Sequence, residues 1–247
     1  AGGHRRPGDA VSPAAGGQLD HLVVAARTLD EGAAWCEASL GLTPGPGGEH
    51  ALFGTHNRLL RLACDGAPRA YLEIIAIQPQ ARPTRGAGLR RWFDLDEPSL
   101  QDRLVQQGPQ LVHWVASVPD LAAATAAWRA LGIDRGPTLA ASRATPHGLL
   151  QWQITVRDDG QRLFGGALPT LIQWGVAHPS ERMADSGLRL QSLTLQHPQA
   201  VALRRALAAI GITQLAVTEG AAGLSATLDT PGRGPVRLDH PSAPPHP

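Results

Sequence analysis

One short pattern recurs along this chain and limits how it can fold. Leu19-Asp20-His21-Leu22-Val23-Val24 reads as a β-strand with a histidine at its third position. Leu111-Val112-His113-Trp114-Val115-Ala116 has the same shape and the same histidine. Leu190-Gln191-Ser192-Leu193-Thr194-Leu195 is a fainter copy, with serine in its place. Each copy precedes a helix-like segment and then a glycine that opens a new strand. Those glycines, Gly41, Gly132 and Gly211, lie 20, 19 and 19 residues beyond His21, His113 and Ser192. Strand–helix–glycine alone is common in α/β proteins, because glycine fits the left-handed position after a helix. A matched interval with a matched polar residue points instead to internal repetition of one supersecondary unit.

The segments between the copies complete the units. In the first, Thr28 or Asp30 can cap a helix. Leu29, Ala33, Cys36 and Leu40 share one face of that helix. Pro44-Gly45-Pro46-Gly47-Gly48 breaks regular structure, and strands are expected at 50–54, 57–63 and 70–77. Residues 19–78 thus read as β-α-β-β-β. Residues 79–110 repeat nothing and read as a linker. Within it, residues 89–95 form a short helix or strand whose Trp92 and Phe93 dock on the core, and residues 98–107 fit a helix. A second unit spans 111–176: its helix begins at Pro119-Asp120, and strands are expected at 138–143, 149–157 and 169–174. A third, degenerate unit spans 187–238, with a helix over 198–210 and strands at 212–218, 223–228 and 235–238. Residues 1–18 read as a flexible lead and 239–247 as a flexible tail.

Composition excludes several function classes. The formal net charge of the 247 residues is +1, which offers nothing to nucleic acid or an acidic surface. All 22 basic residues are arginine, so no lysine amine exists for Schiff-base chemistry. The two cysteines, Cys36 and Cys64, read as structural thiols of a reducing cytosol, which predicts a cytoplasmic protein. No run of 18 apolar residues is present to span a membrane. No phosphate-binding glycine loop and no Gly-x-Ser-x-Gly elbow occurs. The expected partner is a small-molecule substrate.

Alternation along a strand places His21 with Leu19 and Val23, His113 with Leu111 and Val115, and Glu73 with Tyr71 and Ile75. In the second unit the strand corresponding to 71–75 is 170–174, which makes Gln173 the expected counterpart of Glu73. A carboxylate among Leu72, Ile74 and Ile75 is costly to bury ionised without a partner. Two imidazoles, a carboxylate and an amide oxygen form a donor set for one divalent metal: Zn, Ni, Mn or Fe. The metal candidates are therefore His21, Glu73, His113 and Gln173, and Glu73 is also a candidate catalytic base. His56 is a candidate acid–base or substrate contact, and Arg58 a candidate anion contact. If the tryptophans wall a pocket, Trp114 and Trp174 are candidate substrate contacts. His50 and His147 read as loop residues.

Residues 19–24, 54–60, 71–76 and 111–116 together resemble the vicinal oxygen chelate superfamily, and more narrowly its glyoxalase-like domain proteins of bacteria. The resemblance covers residues 19–176 well; the third unit agrees in pattern only. It implies an α+β fold in which paired βαβββ modules make a curved mixed sheet around a cleft. It also implies metal ligands on the first and last strands of two modules, at His21, Glu73, His113 and Gln173. Many members carry glutamate where this chain has Gln173, and glutamine is a very poor base, so a proton shuttle either falls to Glu73 or is absent. The expected activity is lyase- or isomerase-type chemistry through a metal-chelated enediolate. The superfamily leaves two alternatives open: an Fe(II)-dependent ring-cleaving dioxygenase, and a metal-free small-molecule binding or resistance protein. Members also pair modules between chains, so a homodimer stands beside pairing within one chain.

Overall fold

The computed structural model describes residues 16–239. The expected lead and tail lie outside the described residues, except for Gly16–Gln18 and Asp239. The chain begins with β1 (Gln18–Ala25), α1 (Leu29–Leu40), β2 (Glu49–His50), β3 (Thr55–Arg61) and β4 (Tyr71–Ile77). Next come α2 (Pro98–Gln107), β5 (Gln110–Ser117), α3 (Leu121–Ala130), β6 (Thr138–Thr145), β7 (Gly148–Thr155) and β8 (Thr170–Trp174). The last part holds β9 (Arg189–Gln196), α4 (Ala200–Ala209), β10 (Ala216–Thr218), β11 (Gly223–Thr230) and β12 (Gly234–Asp239). The first eight strands form one sheet in the order β2-β3-β4-β1-β5-β8-β7-β6. β1 lies parallel to β4 and β5 parallel to β8, while β1 and β5 join antiparallel at the centre. The fold is α+β, and this mixed sheet curves until it is nearly closed.

Local chemistry sets the helix ends. Thr28 Oγ1 accepts the Glu31 N–H, and Gly41 closes α1 at φ 67°, a left-handed conformation that glycine adopts without cost. Asp120 caps α3 by accepting the Ala123 N–H. α1 and α3 bury their apolar faces against the convex side of the sheet, and α4 packs on α3, where Trp128 donates its indole N–H to the Ala206 carbonyl.

The concave side has its own core. Val23, Ala25, Ile75 and Val115 meet Phe53, Trp92, Phe93 and, from α2, Leu100 and Leu104. The rings of Phe53, Trp92 and Phe93 stack in one column. Residues 89–95 therefore dock aromatics on the core as expected, but they are neither helix nor strand. Phe93 and Asp94 take φ 59° and 57°, and the chain turns there. The strand expected at 50–54 is shorter as well: it ends at His50, and the Gly54 N–H returns to the His50 carbonyl in a turn.

The third segment has the same succession of elements as the first two but pairs differently. Its strands form a separate sheet in the order β10-β9-β11-β12, with β9 against β11 antiparallel and β10 a short edge. It joins the main body at a bridge from Ala63 to Arg189 and at the Gly17 N–H on the Ile210 carbonyl. Among the described residues no helix is long and apolar enough to cross a membrane.

Candidate active site

The site forms where β1 departs from regular pairing. Leu19 pairs with Ala116 and His21 with Val115, so Asp20 is an unpaired bulge residue. A bulge lets a side chain leave the face that alternation assigns to it. Asp20 can therefore turn to its neighbour, and the His21 Nδ1–H donates to Asp20 Oδ2 at 2.6 Å. The other carboxylate oxygen accepts the Trp174 indole N–H and His178 Nε2–H, both at 2.9 Å. The Ser180 N–H donates to His178 Nδ1, which fixes the proton of that ring on Nε2. Burial opposes the charge on Asp20, but His178 and His21 outweigh it and hold the carboxyl at about 2.

Asp20 leaves His21 Nε2 as the free nitrogen, and the ring is clamped by stacking on Tyr71 at 4.5 Å. Nε2 faces Glu73 Oε1 across 3.7 Å, too far for a hydrogen bond. Glu73 Oε1 is buried and has no partner, while Oε2 accepts the Asn57 Nδ2–H at 2.7 Å. Burial pushes the Glu73 carboxyl above its usual range, against the pull of His21 and Asn57. The Gly48 N–H fixes the amide of Asn57 by donating to its Oδ1. A Cβ on Gly47 would collide with the Asn57 carbonyl, so the glycine cluster of the sequence serves to pin Asn57. The remaining Asn57 Nδ2–H donates to His50 Nε2 at 3.2 Å, and the His50 Nδ1–H goes to Thr55 Oγ1. Burial and the nearby Arg143 charge lower His50 to about 3, so its ring is neutral.

The other expected residues lie elsewhere. His113 is fully buried, and both of its nitrogens are engaged. Its Nδ1–H donates to the Gly166 carbonyl at 2.9 Å, and Nε2 accepts the hydroxyl and the N–H of Thr170. Burial holds its pKa well below the histidine range. Gln173 turns to the helix side of the sheet, where its Oε1 accepts the Leu121 N–H at the start of α3. β1 and β4 pair Val23 with Glu73, and β5 and β8 pair Val115 with Thr170, so the positional counterpart of Glu73 is Thr170. Of the four expected metal donors, then, only His21 Nε2 and Glu73 Oε1 converge with free lone pairs. Among the described residues no three His, Cys, Asp or Glu side chains are grouped to hold a metal ion. The residues present do not assemble the four-donor set.

Trp174 does line the pocket, whereas Trp114 is buried in the convex core with its indole N–H on the Ala167 carbonyl. His56 and Arg58 alternate with Asn57 and Leu59, the two β3 residues that line the pocket. Arg58 binds the carbonyls of Pro44 and Gly45 instead. Asp20, Asn57, His50 and His178 were missed by sequence reading. Asn57 had a signal: the face of β3 that pairs across Leu59 to Glu73 also carries residue 57.

The space at the site has two parts. An inner pocket of about 30 Å³ is bounded by His21, Tyr71, Glu73, Asn57 and Trp174. An outer cleft of about 620 Å³ adjoins it, walled by Phe53, Trp92 and Trp152. His50, Trp92, Arg143 and Trp152 line both.

No curated protein sequence matches the chain. Among solved structures, a hypothetical protein from Staphylococcus aureus superposes with a TM-score of 0.55 at 12% identity, over 90% of this chain and 86% of that one. Methylmalonyl-CoA epimerase of Streptomyces coelicolor, in complex with 2-nitronate-propionyl-CoA, gives 0.38 at 18% identity, over 65% of this chain and 96% of its own. The Mycobacterium tuberculosis epimerase gives 0.35 at 17% identity, over 64% and 87%. The first of these supports the fold alone. A family model described as a glyoxalase-like domain matches residues 19–211. With the paired modules around the cleft, that match places the chain in the glyoxalase-like domain family of the vicinal oxygen chelate superfamily.

Proposed function

We propose that the protein is a proton-transfer enzyme, an isomerase or lyase, acting on a small substrate with a carbonyl beside an acidic C–H. One observation carries the reading: the buried, partnerless Glu73 Oε1 stands 3.7 Å from His21 Nε2 at the end of a cleft. Burial raises the basicity of Glu73 toward neutrality, where a general base works best. Glu73 Oε1 takes the proton from carbon, and the electron pair moves onto the carbonyl oxygen as an enolate. His21 Nε2 is the second proton station: it takes the proton of a hydroxyl beside the carbonyl and passes it to the enolate oxygen. The ionised Asp20 on its Nδ1–H stabilises the imidazolium that forms, as a carboxylate behind a catalytic histidine does. Return of the proton to the neighbouring atom completes an isomerisation with no further reactant.

A divalent metal, which superfamily members often bind, is not part of this reading. The metal-dependent form would use His113 and Gln173, and the donor atoms of both are engaged elsewhere. The ring-cleaving dioxygenase would need the same free nitrogen on His113. A binding or resistance protein is the second reading, favoured by the aromatic walls of the cleft, with His21 and Glu73 only hydrogen-bonding.

The test is solvent deuterium exchange followed by NMR, on a panel of small 2-oxo and 2-hydroxy carbonyl compounds. The expected result is exchange above background that Glu73→Gln lowers by a factor on the order of 100 to 10,000 and that EDTA leaves unchanged. Exchange lost with EDTA and restored by Zn, Ni, Mn or Fe would return the metal-dependent reading to first place. Exchange absent from every compound would favour the binding protein.

A further inference from the structure

Arg143 is a cation at the cleft whose charge acts on His50 and Glu73 without a bond to either. It projects from β6 across the mouth of the site, and its guanidinium rests against Gly48, at a spot where any Cβ on that residue would collide with it. It lines the inner pocket, the outer cleft and a third cavity of about 380 Å³ on its far side. Among the described residues no hydrogen bond or ion pair takes its guanidinium, whereas most surface arginines near the site are bound. Arg58 holds Pro44 and Gly45, Arg91 holds Asp96, and Arg85 holds Asp158. Among the described residues no other arginine lines either the inner pocket or the outer cleft.

A second unpaired donor lies beside it. Trp92 lines both spaces with its ring, and its indole N–H is buried there without an acceptor. Buried donors are almost always satisfied, so one left open in a pocket marks a place where a ligand or water supplies the partner. Both orphans at this junction are donors, and the group that completes them is an acceptor.

Volume then orders the ligand along the cleft. The inner pocket, about 30 Å³, exceeds the roughly 10–15 Å³ that a single water molecule needs and falls far short of a whole ligand, so one small functional group enters it. The outer cleft, about 620 Å³, lies within the range of small-molecule sites and offers flat aromatic walls at Trp92 and Trp152.

Building on the proton-transfer reading, we propose that the substrate is a small organic acid with an apolar or aryl body. Its reacting carbon and carbonyl enter the inner pocket, its body lies along Trp92 and Trp152, and its carboxylate sits at Arg143, adjacent to the reacting carbon. A single guanidinium suits a carboxylate, which it can hold through two parallel hydrogen bonds. Arg143 is thus a specificity residue, and Gly48 is the glycine that gives it room.

The experiment is a calorimetric titration of phenylacetate against its neutral isostere phenylacetamide, on the parent and on Arg143→Gln, Arg143→Lys and Glu73→Gln. The parent is expected to prefer the acid by about tenfold, the worth of one charge-assisted contact. Arg143→Gln, a half-exposed position with no bond to lose, folds normally and binds acid and amide alike. Arg143→Lys keeps part of the preference. Glu73→Gln keeps the preference while losing deuterium exchange, so a failed proton-transfer reading and a failed carboxylate site give different results. Equal binding of acid and amide by the parent, binding of neither, or a preference that survives Arg143→Gln would each overturn the proposal.

Discussion

β1 and β5 are antiparallel neighbours that carry the same irregularity. Asp20 is unpaired on β1 before His21, and Val112 is unpaired on β5 before His113. From there the two halves diverge. On β1 the bulge presents a carboxylate, which takes the Nδ1–H of His21 and leaves Nε2 open toward Glu73. On β5 it presents valine, which offers no acceptor. His113 turns its Nδ1–H to the Gly166 carbonyl, and its Nε2 is saturated by Thr170, which stands where the other half has Glu73. Arg135 donates to the same Thr170 hydroxyl at 2.7 Å and ties off the network. Two equivalent imidazoles therefore differ in use because of the residue just before each, Asp20 or Val112, and the residue at the matching register of the partner strand, Glu73 or Thr170. The first half leaves its imidazole and the facing carboxylate open and the second half saturates its imidazole, so the facing proton-carrying groups gather on one side of a pseudo-symmetric sheet.

Breaking the reactive half has the largest expected effect. Glu73→Gln removes the base, and the loss of exchange on the order of 100- to 10,000-fold comes with a change in the opposite sense for stability. Burial holds the folded carboxyl above the ordinary glutamate value of 4.5, so the native state favours the proton. Its contribution is fully present below pH 4.5 and is lost as pH rises through the raised value. Urea unfolding across pH should show Glu73→Gln gaining relative stability at neutral pH. A neutral-pH loss would mean that the carboxylate is paired in a way the buried Oε1 denies.

Asp20 runs the other way. Its folded value of about 2 lies below 3.8, so its contribution is present above pH 3.8 and is lost as pH falls toward 2. The difference corresponds to about 2 kcal/mol. Asp20→Asn should cost a similar amount at pH 7, flatten the acid limb of the stability profile and lower exchange, because the amide can no longer accept from Trp174, His178 and His21 together. An unchanged acid limb would show that some other carboxylate controls it.

What the sequence made legible follows the same division. Glu73 stood out because a carboxylate inside Leu72–Ile75 must answer for its burial, and the apolar runs at β1, β4 and β5 were long enough to be read as strands. Asp20 was hidden because alternation assigns it to the face opposite His21, and a bulge leaves no mark in composition. The placement of Gln173 failed for a related reason. β8 is five residues long and meets β5 only from Val115 onward, so matching strands by their ends shifts the register by three positions. Asn57 lay between His56 and Arg58, which were singled out for their chemistry although they share a face with each other and not with Glu73. His178 and Arg143 come from loops and edges far along the chain, and only the closing of the sheet brings them to Asp20 and Gly48.

The quiet half gives a smaller prediction. His113→Leu removes the acceptor of the Thr170 N–H and the donor to the Gly166 carbonyl, both buried. Leaving such groups unsatisfied costs about 1–3 kcal/mol, read as a lower urea midpoint. Deuterium exchange by the folded variant should stay within about threefold of the parent, since a supporting hydrogen bond far from the reacting atoms is worth under about 1 kcal/mol. Abolished exchange in a folded His113→Leu protein would make the two halves partners in one site and undo the comparison.

Gln173→Ala is the finest test of the asymmetry. The side chain accepts the Leu121 N–H, one of the open donors in the first turn of α3, while Asp120 already serves Ala123. Losing one of two caps on a helix otherwise held by Leu121, Ala124 and Trp128 should cost about 0.5–1 kcal/mol. The loss should appear in thermal unfolding, with amide exchange quickening at Leu121 and not at Glu73. Deuterium exchange into substrate should be unaffected, and so should the metal content of protein purified without chelators. A change in either would mean that Gln173 reaches the cleft in solution, and that the half of the sheet whose imidazole is saturated shares the chemistry after all.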